Sequence, residues 1–126
     1  MNLEKVVFGF FILLAATLNF GFVYGDLSDP GLHEPWELFA AFSVGLIAAV
    51  LKFGDRTHVG AVHLASSLVA LLQLAAATVV WVIASPAEGG LTPRATAVVV
   101  SLAAGALIAN IVSVVFMVIE TTMQRR

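Results

Sequence analysis

The chain has 126 residues, 60% of them hydrophobic and 11% charged, with six Lys and Arg against eight Asp and Glu for a formal net charge of −2. A soluble domain averages about 25% charged residues, and a soluble chain this short leaves too much of its surface in water to hide so many apolar side chains, so the missing burial must come from lipid or other subunits. Six scattered basic residues make no nucleic-acid stripe, and the lack of cysteine excludes disulfides, thiolate metal sites and a cysteine nucleophile.

Four apolar stretches follow in chain order. They predict an all-α membrane protein, an antiparallel four-helix transmembrane bundle occupying one domain over 1–126. The first span, 6–24, is apolar except for Thr17 and Asn19. As a helix it would be about 28 Å long, close to the ~30 Å of a hydrocarbon core. Lys5, the apolar run and Val23-Tyr24-Gly25 also loosely fit a signal peptide; the reading adopted is a retained helix.

The connection that follows is acidic. Asp26, Asp29, His33, Glu34 and Glu37 fall within one short stretch. Carboxylates suit Ca²⁺ or Mg²⁺, but the spacing matches no EF-hand loop, and no metal is assigned. The plain reading is a solvated loop. The functional one makes Asp26, Asp29, Glu34 and Glu37 a negative rim that gathers cations when several copies surround an axis.

The second span, 36–52, opens on Glu34-Pro35, with Glu37 in a first turn that favours negative charge. Ala41, Gly45 and Ala49 form a stripe of small residues, the mark of a close-packing face in lipid. The turn from Lys52 to His58 is dense in charge. As a simple turn, Gly54 provides backbone freedom, Asp55 or Thr57 caps the next helix and Lys52 snorkels. As a functional element, Lys52, Asp55 and Arg56 would form a gate or a docking site.

The third span, 59–84, places His63, Ser66, Ala70, Gln73 and Ala77 in one narrow sector, with Ser67 beside it. Polar groups on a membrane helix face other helices or water. Interhelical hydrogen bonding is the plain reading, worth about 0.6 kcal/mol per contact. The sharper reading is a pathway lined by His63, Ser66, Ser67 and Gln73, with Asn19 and Asn110 as further polar groups and His63 as a source of pH sensitivity.

Thr92-Pro93 reads as an N-cap followed by proline at the first helical position. The fourth span, 95–119, carries a small-residue stripe at Ala97, Ser101, Gly105, Ala109 and Ser113.

Orientation follows from basic residues. Lys5, Lys52, Arg56, Arg125 and Arg126 lie on one side of a four-span topology and only Arg94 on the other, so the N-terminus and C-terminus are expected to be cytoplasmic. Tyr24, Trp36 and Trp81 would form an outer aromatic belt. No phosphate-binding loop, HExxH or Gly-x-Ser-x-Gly motif occurs, and His63 is the sole histidine within a span. No enzyme activity and no cofactor are expected.

The segments Met1-Asn-Leu-Glu-Lys-Val-Val-Phe-Gly-Phe-Phe11, Lys52-Phe-Gly-Asp-Arg-Thr57, Ser67-Leu-Val-Ala70 with Gln73-Leu74, and Ala109-Asn-Ile-Val-Ser113 resemble a family of uncharacterised small bacterial inner-membrane proteins. The resemblance runs over nearly the whole chain. It implies a multi-pass protein of the bacterial inner membrane and carries no activity. The functional expectation is a homo-oligomeric cation channel or transporter in the lipid bilayer, with an inorganic cation as partner. The alternative is a non-conducting accessory or scaffold subunit of a larger membrane complex.

Overall fold

A computed structural model describes residues 3–25, 29, 31, 33–53, 58–85 and 91–124, with residues 58–60 and 124 described by backbone alone. The chain forms four helices: α1 (Leu3–Val23), α2 (Pro35–Lys52), α3 (His58–Ala84) and α4 (Pro93–Gln124). Asp26, Asp55 and Arg56 lie outside the described residues.

The helix boundaries have local causes. Glu34 precedes a proline and is extended at φ −82° and ψ 120°, as the proline ring demands of its predecessor. It occupies the N-cap of α2 without a side-chain bond. Thr92 is a working cap, because its Oγ1 accepts the Ala95 N–H at 3.1 Å. Beyond α1, Gly25 turns the chain at φ 112°, a value that L side chains rarely adopt. The expected spans are all present. The largest change is at the end of α4, which continues to Gln124, five residues past the apolar stretch. Its 32 residues make a rod of about 48 Å, longer than a hydrocarbon core, so it tilts or projects from the bilayer.

Each helix buries positions spaced alternately three and four residues apart. The series are Phe8, Ile12, Ala15, Asn19 and Phe22 in α1; Leu38, Ala41, Gly45, Ala48 and Lys52 in α2; His63, Ser67, Ala70, Leu74 and Ala77 in α3; and Thr96, Val99, Ala103, Ala106, Asn110 and Ser113 in α4. A mean spacing of 3.5 is the seam of a supercoiled bundle. α1 packs against α2 and α4, and α3 packs against α2 and α4, with α3–α4 the largest interface. Outside the seam the surface is apolar: Leu72, Ile83 and Ile108 are all more than 60% exposed. Only 22–33% of the residues in each span's most apolar window are buried within the chain. That much bare hydrocarbon surface requires a lipid environment, and the molecule is a small multi-pass membrane protein.

Candidate functional site

The bundle has two chemically distinct ends. The start of α1, the end of α2, the start of α3 and the end of α4 meet at the terminal end. The end of α1, the start of α2, the end of α3 and the start of α4 lie at the far end.

At the terminal end the four seams run into ionisable side chains. Lys5 stands three residues before Phe8 on α1. Lys52 ends the α2 seam and His63 begins that of α3. On α4 the alternation of Asn110 and Ser113 continues through Met117 to Glu120. Lys5 Nζ contacts Glu120 Oε1 at 2.6 Å, tying the two ends of the chain together. The other carboxylate oxygen of Glu120 lies 3.4 Å from His63 Nε2. His63 is fully buried, with the Phe8 ring edge-on at a centroid distance of 5.3 Å. Lys52 is also buried, and its ammonium sits 4.5 Å from the centre of the Phe8 ring, within cation–π range. These side chains and Met117 surround a cavity of about 230 Å³ that opens past the exposed residues Val118, Thr121 and Thr122.

Above this cluster the seam closes. Ile12, Ala15, Leu74, Ala103 and Ala106 are at most 1% exposed, and Phe22, Leu38, Ala77, Val99 and Val100 fill the far end. Phe22 packs against Trp81 at 5.8 Å and His33 at 5.5 Å between ring centres. His33 Nδ1 lies 2.5 Å from the Phe22 carbonyl. A carbonyl can only accept, so this nitrogen donates, and it satisfies a group in the last turn of α1 that the helix leaves open.

The polar residues singled out from the sequence divide between these regions. Asn19 is fully buried in mid-bundle. In the orientation its surroundings require, it donates to the Ala103 carbonyl at 2.9 Å and accepts from the Leu107 N–H at 3.1 Å. Those two groups form one turn of the α4 ladder, so the amide straddles a helical hydrogen bond. Ser66 bonds Ser113 across the α3–α4 interface at 2.5 Å. Ser67 and Asn110 are buried. Gln73 is half-buried, with its amide against Gly105, where an added Cβ would collide with it. The inward face of α3 is therefore His63, Ser67, Ala70, Leu74 and Ala77, whereas Ser66 and Gln73 sit at the α4 boundary.

The α4 small-residue stripe also changes face. A step of four residues advances about 400° at ~100° per residue, so the stripe winds around the helix. Ala109 and Ser113 point inward, while Ser101 is exposed and Ala97 and Gly105 are half-exposed. Ala97 and Ser101, with Gln73 and Arg94, border a shallow open depression of about 560 Å³.

Among the acidic residues, Asp29 and Glu34 are exposed, and Glu37 is half-buried with its carboxylate against Gly21. Among the described residues, no three His, Asp or Glu side chains converge as a metal-binding group.

Sequence reasoning missed Lys5, Phe8, Met117 and Glu120 as members of one site. The signal lay in the three–four alternation. Extended beyond the apolar stretch of α4, it lands on Glu120, and extended back from Phe8, it lands on Lys5.

No curated protein and no solved structure matches the chain. A family pattern matches residues 32–121, which covers Lys52, His63 and Glu120 but not Lys5 or Phe8. With most of its length matched, the chain belongs to the Family of unknown function (DUF6394).

Proposed function

We propose that this chain is a subunit of a homo-oligomeric membrane transporter whose solute site is the cavity at the terminal end. The supporting observation is the asymmetry of the seam, hollow and ionisable at one end and filled with packed side chains at the other. Ionisable groups inside a membrane bundle are costly and mark ion or substrate pathways. A carrier needs a site open to one side and closed to the other, and this arrangement fits that need. A channel needs a continuous path, and the seam of one subunit is occupied from Ile12 to Phe22. A cation route fed by Asp29 and Glu34 would therefore run between subunits.

The outward face at Gln73 and Ser101 supports self-association. Polar groups at a lipid-facing position gain from a protein partner, and small residues allow close approach. The terminal end is taken as cytoplasmic, on the basis of Lys5, Lys52, Arg56, Arg125 and Arg126 against Arg94, in a bacterial inner membrane as the family resemblance implies. The filled seam equally favours a second reading, a non-conducting accessory subunit.

Flux assays separate the two. Purified protein in liposomes should move at least one of K⁺, Na⁺, Ca²⁺ or inorganic phosphate above empty controls, and His63→Ala should reduce the flux of a solute that uses the terminal cavity while leaving a cation route between subunits unchanged. No flux for any of these ions would remove the transport reading. The chain has no cysteine, so orientation is testable with single introduced ones. Thr122→Cys should be labelled from the cytosol and Ser85→Cys from outside, and the reverse pattern would overturn the topology.

A further inference from the structure

Most hydroxyl groups of this bundle are satisfied by their own helices. Thr17, Ser43, Ser66, Thr78, Thr121 and Thr122 each donate to a carbonyl three or four residues earlier. That is the local solution for a hydroxyl on a helix in lipid. The outward edge of the α3–α4 interface differs. Among the described residues, neither the Ser101 hydroxyl nor the Gln73 amide makes a hydrogen bond.

Their depth makes this costly. Gln73 lies two residues past Leu71, the midpoint of α3 (His58–Ala84), within about 3 Å of it along the axis. Its amide therefore stands near the centre of the hydrocarbon layer. Acyl chains there offer neither donors nor acceptors, and an unpaired amide in such surroundings costs free energy. The occupant of this face has to bring polar groups of its own.

A second copy does so. A side-chain amide has both donors and acceptors, as does a hydroxyl, so the face complements itself. Copies inserted with the same orientation are related by rotation about the membrane normal. A two-fold axis then sets each residue opposite its own equivalent, and two Gln73 amides can join by a pair of N–H to carbonyl bonds. Ala97 and Ser101, four residues apart beside the depression, have side chains small enough for two α4 helices to approach closely. Arg94 is exposed in the first turn of α4, at the edge of the layer, where water and salt screen it from its equivalent.

We infer that the α3–α4 face binds a second copy of this chain about a two-fold axis along the membrane normal, with the Gln73 amides paired across it. The inference rests on reading the chain as a homo-oligomer, and it names the surface and the bond that join the subunits. It does not require that the oligomer transport anything.

The test uses the full chain in liposomes. The sequence has no cysteine, so single ones report proximity without background. Under copper-catalysed oxidation, Ser101→Cys should form a disulfide-linked dimer. Leu46→Cys, also exposed but on α2, should not. Gln73→Met removes the amide at similar length. It should raise the dimer dissociation constant, read by single-molecule or energy-transfer titration in lipid, about five- to tenfold, as two ordinary polar contacts between membrane helices would. Ser101→Leu should weaken the dimer further by holding the helices apart. Helicity and unfolding midpoint of each variant separate a lost contact from a lost fold.

A monomer at all protein densities would overturn the inference together with the homo-oligomeric reading. A dimer that cross-links through Leu46→Cys and ignores Gln73→Met would overturn the inference alone. So would a phospholipid retained on the monomer in native mass spectrometry and lost in Gln73→Met, which would assign the face to lipid. A Gln73-dependent dimer without flux would leave the inference standing and remove the transporter.

Discussion

At the far end the seam is filled by Phe22, Leu38, Leu74 and Val99, all fully buried, whereas at the terminal end the same alternation delivers Lys5, Lys52, His63 and Glu120 around open space. Both ends are built on one supercoil, so the difference lies in side-chain chemistry rather than backbone architecture. In lipid the hydrophobic effect does not draw helices together, and close packing must do so. The far end meets that requirement with an aromatic and aliphatic plug. The terminal end is thereby released from it and can carry charge.

The sharpest way to break this comparison is to empty the plug. Phe22→Ala is expected to cost about 3–5 kcal/mol, as a fully buried aromatic whose loss leaves a void. Phe8→Ala, beside an existing cavity, should cost clearly less. Chemical unfolding in detergent measures both, and equal losses would show that stability is not concentrated at the far end.

A smaller effect is expected in mid-bundle. Asn19→Leu removes the bonds to the Ala103 carbonyl and the Leu107 N–H and should cost about 1–2 kcal/mol, the upper range for polar contacts between membrane helices. An unchanged midpoint would mean that the α4 ladder is self-sufficient there.

Glu120→Gln ranks below that. Lys5 is 32% exposed on its side chain and Glu120 15%, so the pair is partly screened and should contribute about 0.5–1 kcal/mol. A loss above about 3 kcal/mol would recast the cluster as a structural clasp, with the plug no longer dominant.

The smallest effect is expected at Gly105. An added Cβ would meet the amide end of Gln73, a flexible group that can swing aside, and alanine gains roughly 0.5–1 kcal/mol of helix propensity over glycine. Gly105→Ala should therefore leave unfolding within about 0.5 kcal/mol of the parent. If this face joins subunits, native mass spectrometry will show the oligomer weakened instead.

The reading of α3 shows where sequence reasoning stops. At 3.6 residues per turn, His63, Ser66, Ala70, Gln73 and Ala77 share a sector, and Ser67 appears peripheral. In the bundle, Ser67 and Leu74 point inward while Ser66 and Gln73 lie toward α4. Three-residue and four-residue steps from His63 fall on either side of the same line, and only neighbouring helices decide which side is inside. Glu120 escaped notice for a related reason, because the apolar stretch ends before it while the helix does not. His33 read as part of an acidic loop, yet it is buried against Phe22 and bonded to its carbonyl.

What the sequence determined by itself is the set of four membrane helices, with the Pro35 start of α2 and the Thr92 cap of α4. Hydropathy accumulates residue by residue along the chain, and caps are local, so neither depends on what lies across the bundle. Only the tertiary structure decided that Lys5, Lys52, His63 and Glu120 share one cavity. Their meeting depends on the axial stagger and rotation of all four helices at once, which are set by how Phe22, Leu38, Leu74 and the alanines between them fit together.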